Sequence, residues 1–295
     1  ALASVSKGGL VYGLPFNTFY QGVFYDKSLF DSYGVQPPQN EQELFNLVAF
    51  FKSKGIVPFA THFADTWYIG NILMQFALGE VFLSMPYWGD TFREGKVSFL
   101  TSKEFRHCFN TLSFVYANTW TDPSSVSNIE CDERFANGEA AMYITGSWML
   151  QSVEASRSGI EVGVFPYPNK KGDAHLIYEP NMTFMKSSNS IHNQSIDSIL
   201  SLIFTDLDLS YQIFDYTKTS SLLRNLGLEV LESLENEVQQ YRDKNKMIDA
   251  TVGNSQIMWS FQQDLAGKTH EWLRGSVSLD SVLQYADDIR FLSAP

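Results

Sequence analysis

The chain has 295 residues, long enough for one large or two medium domains, each with its own core. Its formal net charge of −12, with no basic cluster, argues against nucleic acid and anionic lipid surfaces as partners. No apolar run approaches the roughly 18 residues that cross a bilayer, and the opening Ala1-Leu2-Ala3-Ser4 lacks the charged and apolar regions of an export signal. Aromatics are dense, with 23 Phe, 14 Tyr and 6 Trp, which suits a pocket for flat apolar faces as well as a core. The two cysteines, Cys108 and Cys131, form neither a CxxC pair nor part of a His cluster and are expected as unpaired thiols.

In chain order, residues 10 to 16 read as a strand stopped by Pro15, and a second apolar run covers residues 23 to 25. Asn40-x-x-Glu43 is a capping-box-like helix start. Leu44, Leu47, Val48 and Phe51 then share one helical face, and Gly55 ends the helix. Residues 56 to 60 read as the next strand. The polar and aromatic loop of residues 62 to 68 follows, opening a helix over 69 to 77. Ligands of open α/β sheets sit at the carboxyl ends of strands, which makes Asp65 and Trp67 candidate contacts; a packing staple at the helix start is the other use of Trp67. Phe105, Phe109, Leu112 and Tyr116 form the core stripe of an amphipathic helix.

Residues 131 to 150, CDERFANGEAAMYITGSWML, organise the rest. They read as a helix, a tight turn at Asn137-Gly138, a strand covered on both faces over 140 to 144, and a second helix opening at Gly146-Ser147. Gly146 lets the backbone approach whatever lies above the strand end. Ser147 is an expected N-cap, with free N–H groups of the next turn pointing to the same spot. Trp148 then stands either beside a ligand crevice or in an ordinary core. Further along, residues 162 to 168 and 176 to 185 read as strands around a turn at 169 to 173. Residues 197 to 204 and 207 to 216 read as helices, and 228 to 246 as a charged, solvated helix.

The segment F-x-N-G-E-A-A-M-Y-I-T-G-S-W resembles the signature of the extracellular solute-binding proteins of ABC importers, in the carbohydrate-binding group that includes maltose-binding protein. VYGLPF…GVFYDKSLFDSYGVQPPQNEQEL (residues 11 to 44) is similar to that family's hinge strand and following helix, and residues 255 to 287 to its C-terminal helices. The resemblance implies an α/β fold of the periplasmic-binding-protein type II kind, with two lobes joined by crossover hinge strands. It implies that residues 1–20 hold a hinge strand and a remnant of the N-terminal lobe. Residues 21–176 and 226–295 would build the C-terminal lobe, and 177–225 a returning segment of the N-terminal one. It further implies that a strand–helix–strand series and an export signal precede the hinge strand in relatives and are missing here.

By the same resemblance, Asn17 and Tyr20 face the inter-lobe cleft, as do Glu179 and Asn181 on the second crossover. That second crossover departs from the family's Gly-rich form. Gly146, Ser147 and Trp148 contact ligand, and Trp259 brings an aromatic in from a C-terminal helix; Trp272, on the same helix, reads as core or surface. Tyr87 and Trp88 are rim candidates. Arg224 stands where relatives carry a G-x-x-P crossing that this chain lacks. The implied function is to bind a sugar or oligosaccharide and deliver it to the transmembrane subunits of an ABC permease. The expected protein is a bacterial monomer, periplasmic or lipid-anchored outside the cell membrane, with no cofactor and no metal.

No phosphate-binding, dinucleotide, metalloprotease or serine-hydrolase motif occurs, and the five histidines form no i, i+4 pair. The alternative function is a glycoside hydrolase, because its two carboxylates need spatial, not sequence, proximity. Asp65 and Glu179 are the first residues to test for it.

Overall fold

The computed structural model describes residues 5–222, 232–254, 257 and 259–293. Three two-residue strands come first: β1 (Ser6–Lys7) pairs with β2 (Leu10–Val11), and β3 (Leu14–Pro15) pairs later in the chain. A ten-residue strand follows, β4 (Asn17–Asp26). The strand expected over residues 10 to 16 is therefore two short pieces, and the polar stretch after it lies inside one continuous strand. Pro15 brings no N–H to a ladder, whereas Asn17, Thr18 and Gln21 are buried with hydrogen-bond partners and sit in a sheet without penalty.

The chain continues through α1 (Lys27–Tyr33), α2 (Glu41–Ser53), β5 (Val57–Ala60), α3 (Thr66–Ala77), α4 (Trp88–Arg93), α5 (Lys103–Tyr116), α6 (Asn128–Ala136), β6 (Ala140–Gly146) and α7 (Leu150–Ser156). Then come β7 (Val162–Phe165), β8 (Leu176–Pro180), β9 (Thr183–Phe184), α8 (Asn193–Thr205), α9 (Leu207–Thr217), β10 (Ser220–Ser221), α10 (Glu232–Asp243), β11 (Met247–Asp249), α11 (Trp259–Leu273) and α12 (Leu279–Asp288). Local signals explain the boundaries. The Asn40 side chain accepts from Glu43 N, as the capping pattern predicts, and Leu44, Leu47, Val48 and Phe51 are buried. Gly34 closes α1 at φ 62, a conformation only glycine adopts freely.

Among the described residues, seven strands form one mixed sheet in the order β11-β8-β4-β6-β5, with β7 and β10 also on β4. β4 is its spine. One edge takes β8 at Thr18 to Gln21 and then β7 at Val23 to Asp26; the other takes β10 at Asn17 and Thr18 and then β6 at Gln21 to Tyr25. All four pairings are antiparallel, while β5–β6 and β8–β11 are parallel. All seven residues of β6 are buried, the strand covered on both faces that its sequence predicts. The main core packs α2, α3, α5, α6 and α11 around β4, β5 and β6, with Phe24, Phe59, Tyr68, Phe82 and Phe105 at its centre.

Trp88 belongs to this core and not to a rim. It is 2% exposed, stacked on Phe92 at 4.9 Å and 14°, because Trp88 opens α4 and that helix turns the ring inward; Tyr87 is 74% exposed. Trp272 packs its ring edge on Phe109, 5.9 Å between centroids. Cys108 and Cys131 are free, buried thiols. A second aromatic cluster gathers where β3 meets β9: Phe16 lies 5.6 Å from Phe184, 5.3 Å from Phe204 and 4.7 Å from Phe214.

Candidate functional site

The carboxyl end of β6 is where some of the expected residues meet. Gly146 has φ −124, ordinary extended backbone, so its glycine is required by space and not by conformation. A Cβ there would stand 2.1 Å from Cζ3 of Trp148. What lies above the strand end is the chain's own indole, folded back over the glycine. Ser147 is fully buried and caps no helix; its Oγ accepts from Tyr20 N at 3.1 Å and ties β4 to the segment after β6.

Trp148 stands edge-on to Phe19 at 5.6 Å and to Trp67 at 6.4 Å. Trp67, at the start of α3, lies 5.0 Å from the buried His62 ring. All three of these cluster aromatics, Phe19, Trp67 and Trp148, are partly exposed. The sheet supplies polar groups beside them. Phe19 is the cross-strand partner of Glu179 on β8, so both side chains leave on one face, and Gln21, two residues on, shares it. Gln21 donates its amide to the Glu179 carboxylate, and Asn71 Nδ2 on α3 donates to Gln21 Oε1 at 3.3 Å. Gln75 Nε2 donates to Asn71 Oδ1 at 2.9 Å and to the Thr145 carbonyl at 3.4 Å. Burial raises the pKa of Glu179, with the Asp249 charge adding to it and the Gln21 hydrogen bond opposing it.

Below this cluster, a polar network fixes the loop before α3. The His62 Nδ1–H donates to Asp65 Oδ2 at 2.9 Å, and the same oxygen accepts from Asn128 N at 2.9 Å. Asp65, expected as a ligand contact, commits one carboxylate oxygen, Oδ2, to both of these bonds. Burial holds His62 neutral, its pKa down at about 4 despite Asp65. Asp132, which accepts from Tyr143 OH and Asn128 Nδ2, is pushed up to about 6, again by burial.

The expected residues thus divide. Trp67, Gly146, Trp148 and Glu179 meet in one cluster. Tyr20 does not: as a neighbour of Phe19 it points through the other face, where it is 1% exposed and its OH accepts from Arg242 at 2.9 Å. Asn17 is fully buried, its amide taken by Thr219 and Met182, and the exposed Asn181 donates its backbone N–H to the Asn17 carbonyl. Trp259 is 56% exposed at the first residue of α11, with no ring contact to Trp67 or Trp148 among the described residues. Arg224 lies outside the described residues. Phe19, Gln21, Asn71 and Gln75 were not singled out from sequence. Asn71 and Gln75 recur at i+4 and i+8 from Trp67, two amides in line with the indole on an otherwise apolar helix, and that spacing is the signal that finds them.

A hollow of about 580 Å³ lies at the opposite, amino end of β5 and β6, between Val57, Trp120, Asp122 and Glu139. Its Arg134 is engaged by Glu130 at 2.6 Å and by the Trp120 ring at 5.1 Å, so it presents no free cation. The aromatic cluster at the carboxyl end is the better-equipped site.

The family profile of bacterial extracellular solute-binding proteins matches residues 1–194. A multiple sugar-binding protein of Streptococcus mutans is 28% identical over 166 residues, a stretch that spans 55% of this chain and 39% of the relative. A chitin oligosaccharide binding protein superposes with a TM-score of 0.82 at 20% identity, covering 99% of this chain and 74% of that one. A sugar transporter protein from Bacillus licheniformis in complex with stachyose does so at 0.78 and 18% identity, covering 97% and 75%. At these identities the structural likeness is one of fold, the α/β fold of periplasmic solute-binding proteins expected from the sequence. With the profile matched over most of its length, the chain belongs to the bacterial extracellular solute-binding proteins.

Proposed function

We propose that this chain is the sugar-binding component of an ABC importer, taking an oligosaccharide at the carboxyl end of β6 and handing it to the permease without breaking a bond. The observation that carries the reading is the grouping of Phe19, Trp67 and Trp148 beside the Gln21–Glu179 pair. Flat aromatic faces pack on the C–H faces of pyranose rings, and amide and carboxylate groups take the hydroxyls. The names of similar proteins, which include a raffinose complex and a stachyose complex, support an oligosaccharide as the ligand class.

The lobe arrangement enters as part of this proposal. Residues 21–176 and 226–295 form one lobe, residues 1–20 and 177–225 belong to the other, and the crossing of β4 with the β8–β9 segment and β10 is the hinge. Hinge closure around a ligand leaves few hydroxyls unpaired and supplies selectivity. The protein works outside the cell membrane as a monomer and needs no cofactor. Isothermal titration against raffinose, stachyose, chito-oligosaccharides and xylo-oligosaccharides, with tryptophan emission followed in parallel, tests the reading. Saturable binding with an emission change that Trp148→Ala removes supports it; no binding across the panel overturns it.

A further inference from the structure

The amides between α3 and β8 form one chain of donations with a fixed sense. Gln75 gives N–H to the Thr145 carbonyl and to Asn71 Oδ1; Asn71 gives N–H to Gln21 Oε1; Gln21 gives N–H to Glu179. Both ends admit acceptors only: a backbone carbonyl at one, a carboxylate at the other. Turning any one amide over would set two N–H₂ groups or two oxygens face to face. The sense is therefore set by chemistry at the two termini, and each bond polarises the next.

We propose that Gln21, Asn71 and Gln75 are positioning residues that hold Glu179 as a charged hydrogen-bond acceptor in the cleft, and so decide which ligand hydroxyl positions it accepts. Glu179 Oε2 takes the Gln21 amide, and among the described residues Oε1 is left for a ligand hydroxyl. Without the chain, burial and the neighbouring charge of Asp249 on β11 both favour the protonated form, a hydroxyl donor that reads a different pattern. Asp249 is the charged group facing Glu179, beside the neutral Tyr178; β4 and α3 face it with neutral amides. Gln21 and Gln75 are each only 4% exposed, so water does not replace them in this role.

The inference rests on the sugar-binding reading for its consequence, but its first test needs no ligand. Carbon-13 titration of the Glu179 carboxyl is compared in the wild type, Asn71→Leu and Asn71→Ala. The leucine keeps the bulk of Asn71 and the alanine removes it, so a packing effect separates from loss of the relay. An upward shift of the Glu179 titration in both variants is expected, and an unmoved titration in a folded variant overturns the proposal. The second test reads the ratio of affinities for raffinose and xylobiose. It is expected to change by about tenfold in Asn71→Leu, the scale of one hydrogen bond; an unchanged ratio with both sugars bound overturns the selectivity role. A titration that moves in a protein binding neither sugar leaves the positioning role standing and removes the sugar-binding reading.

Discussion

Asn17 Nδ2 donates to Thr219 Oγ1 at 2.8 Å, across 202 residues of chain. The other end of the same amide accepts Met182 N at 2.7 Å, and the Asn17 carbonyl accepts Asn181 N at 2.9 Å. One buried residue thus ties its own strand to two other segments, at the place proposed for the hinge. Replacing it by alanine takes the acceptor from Met182 N–H and one of two partners from the Thr219 hydroxyl, which keeps Thr217 Oγ1, a loss of about 1–3 kcal/mol. Asn17→Ala is expected to unfold at lower urea than the wild type, with sugar affinity falling alongside; equal midpoints would remove the staple from the account.

Trp148 and Gly146 make a pair whose effects should not add. Trp148→Ala is expected to weaken sugar binding by at least about 1 kcal/mol, the scale of an aromatic stacking contact. Gly146→Ala pushes a methyl into the indole, 2.1 Å from Cζ3, and should displace the ring and reduce binding by a similar amount. In the double variant the clash has no partner, so the stability lost in Gly146→Ala should return while affinity stays low. Calorimetry of the four proteins in the cycle checks both statements.

Acidification sets two buried groups against each other. His62 stays neutral in the fold down to about 4, whereas the unfolded chain protonates it near 6.5, so its contribution to stability falls as pH drops between those values. Asp132 has the opposite sign: the fold holds its proton up to about 6, the unfolded chain releases it from 3.8, and its contribution is lost as pH rises through that range. Between about pH 4 and 6 the two slopes oppose one another. Asp132→Asn keeps the shape and removes one of them, so its melting temperature should fall more steeply from pH 6.5 to 4 than that of the wild type.

Raffinose incubated overnight with the protein should return unchanged from a chromatograph. Asp65 Oδ2 is held by His62 and Asn128 and Glu179 Oε2 by Gln21, and the second Glu179 oxygen is the one assigned above to a ligand hydroxyl, not to an attacking water. Release of galactose or sucrose that Glu179→Gln abolishes would move the protein to the hydrolases.

The helices were legible because their signals are local. The Asn40–Glu43 cap and the stripe of Leu44, Leu47, Val48 and Phe51 need no knowledge of what packs above them. Trp67 and Trp148 lie beside each other for a similar reason, since a strand end followed by a helix start positions the next side chain. Tyr20 failed by one residue. On a strand that offset exchanges faces, and only the pairing of Phe19 with Glu179 shows which of two adjacent aromatics joins the cluster. Ser147 has the composition of a cap, but its hydroxyl is claimed by Tyr20 N, a contact between residues 127 apart that no local pattern encodes. The amides of Asn71 and Gln75 are different: their spacing was on view, and only the apolar weight of the helix hid them.

The spine strand has a consequence for how the molecule comes together in time. β4 is made before any of its ladder partners, which run from Met142 to Ser221. Each pairing must close a long loop before any contact rewards it, which places this sheet among the slow folders. Until then ten residues carrying Phe19, Val23, Phe24 and Tyr25 have two open edges, the condition under which strands pair with the wrong chain. Refolding from denaturant should therefore lose yield as protein concentration rises, with most of the loss before β10 has docked against Asn17 and Thr18.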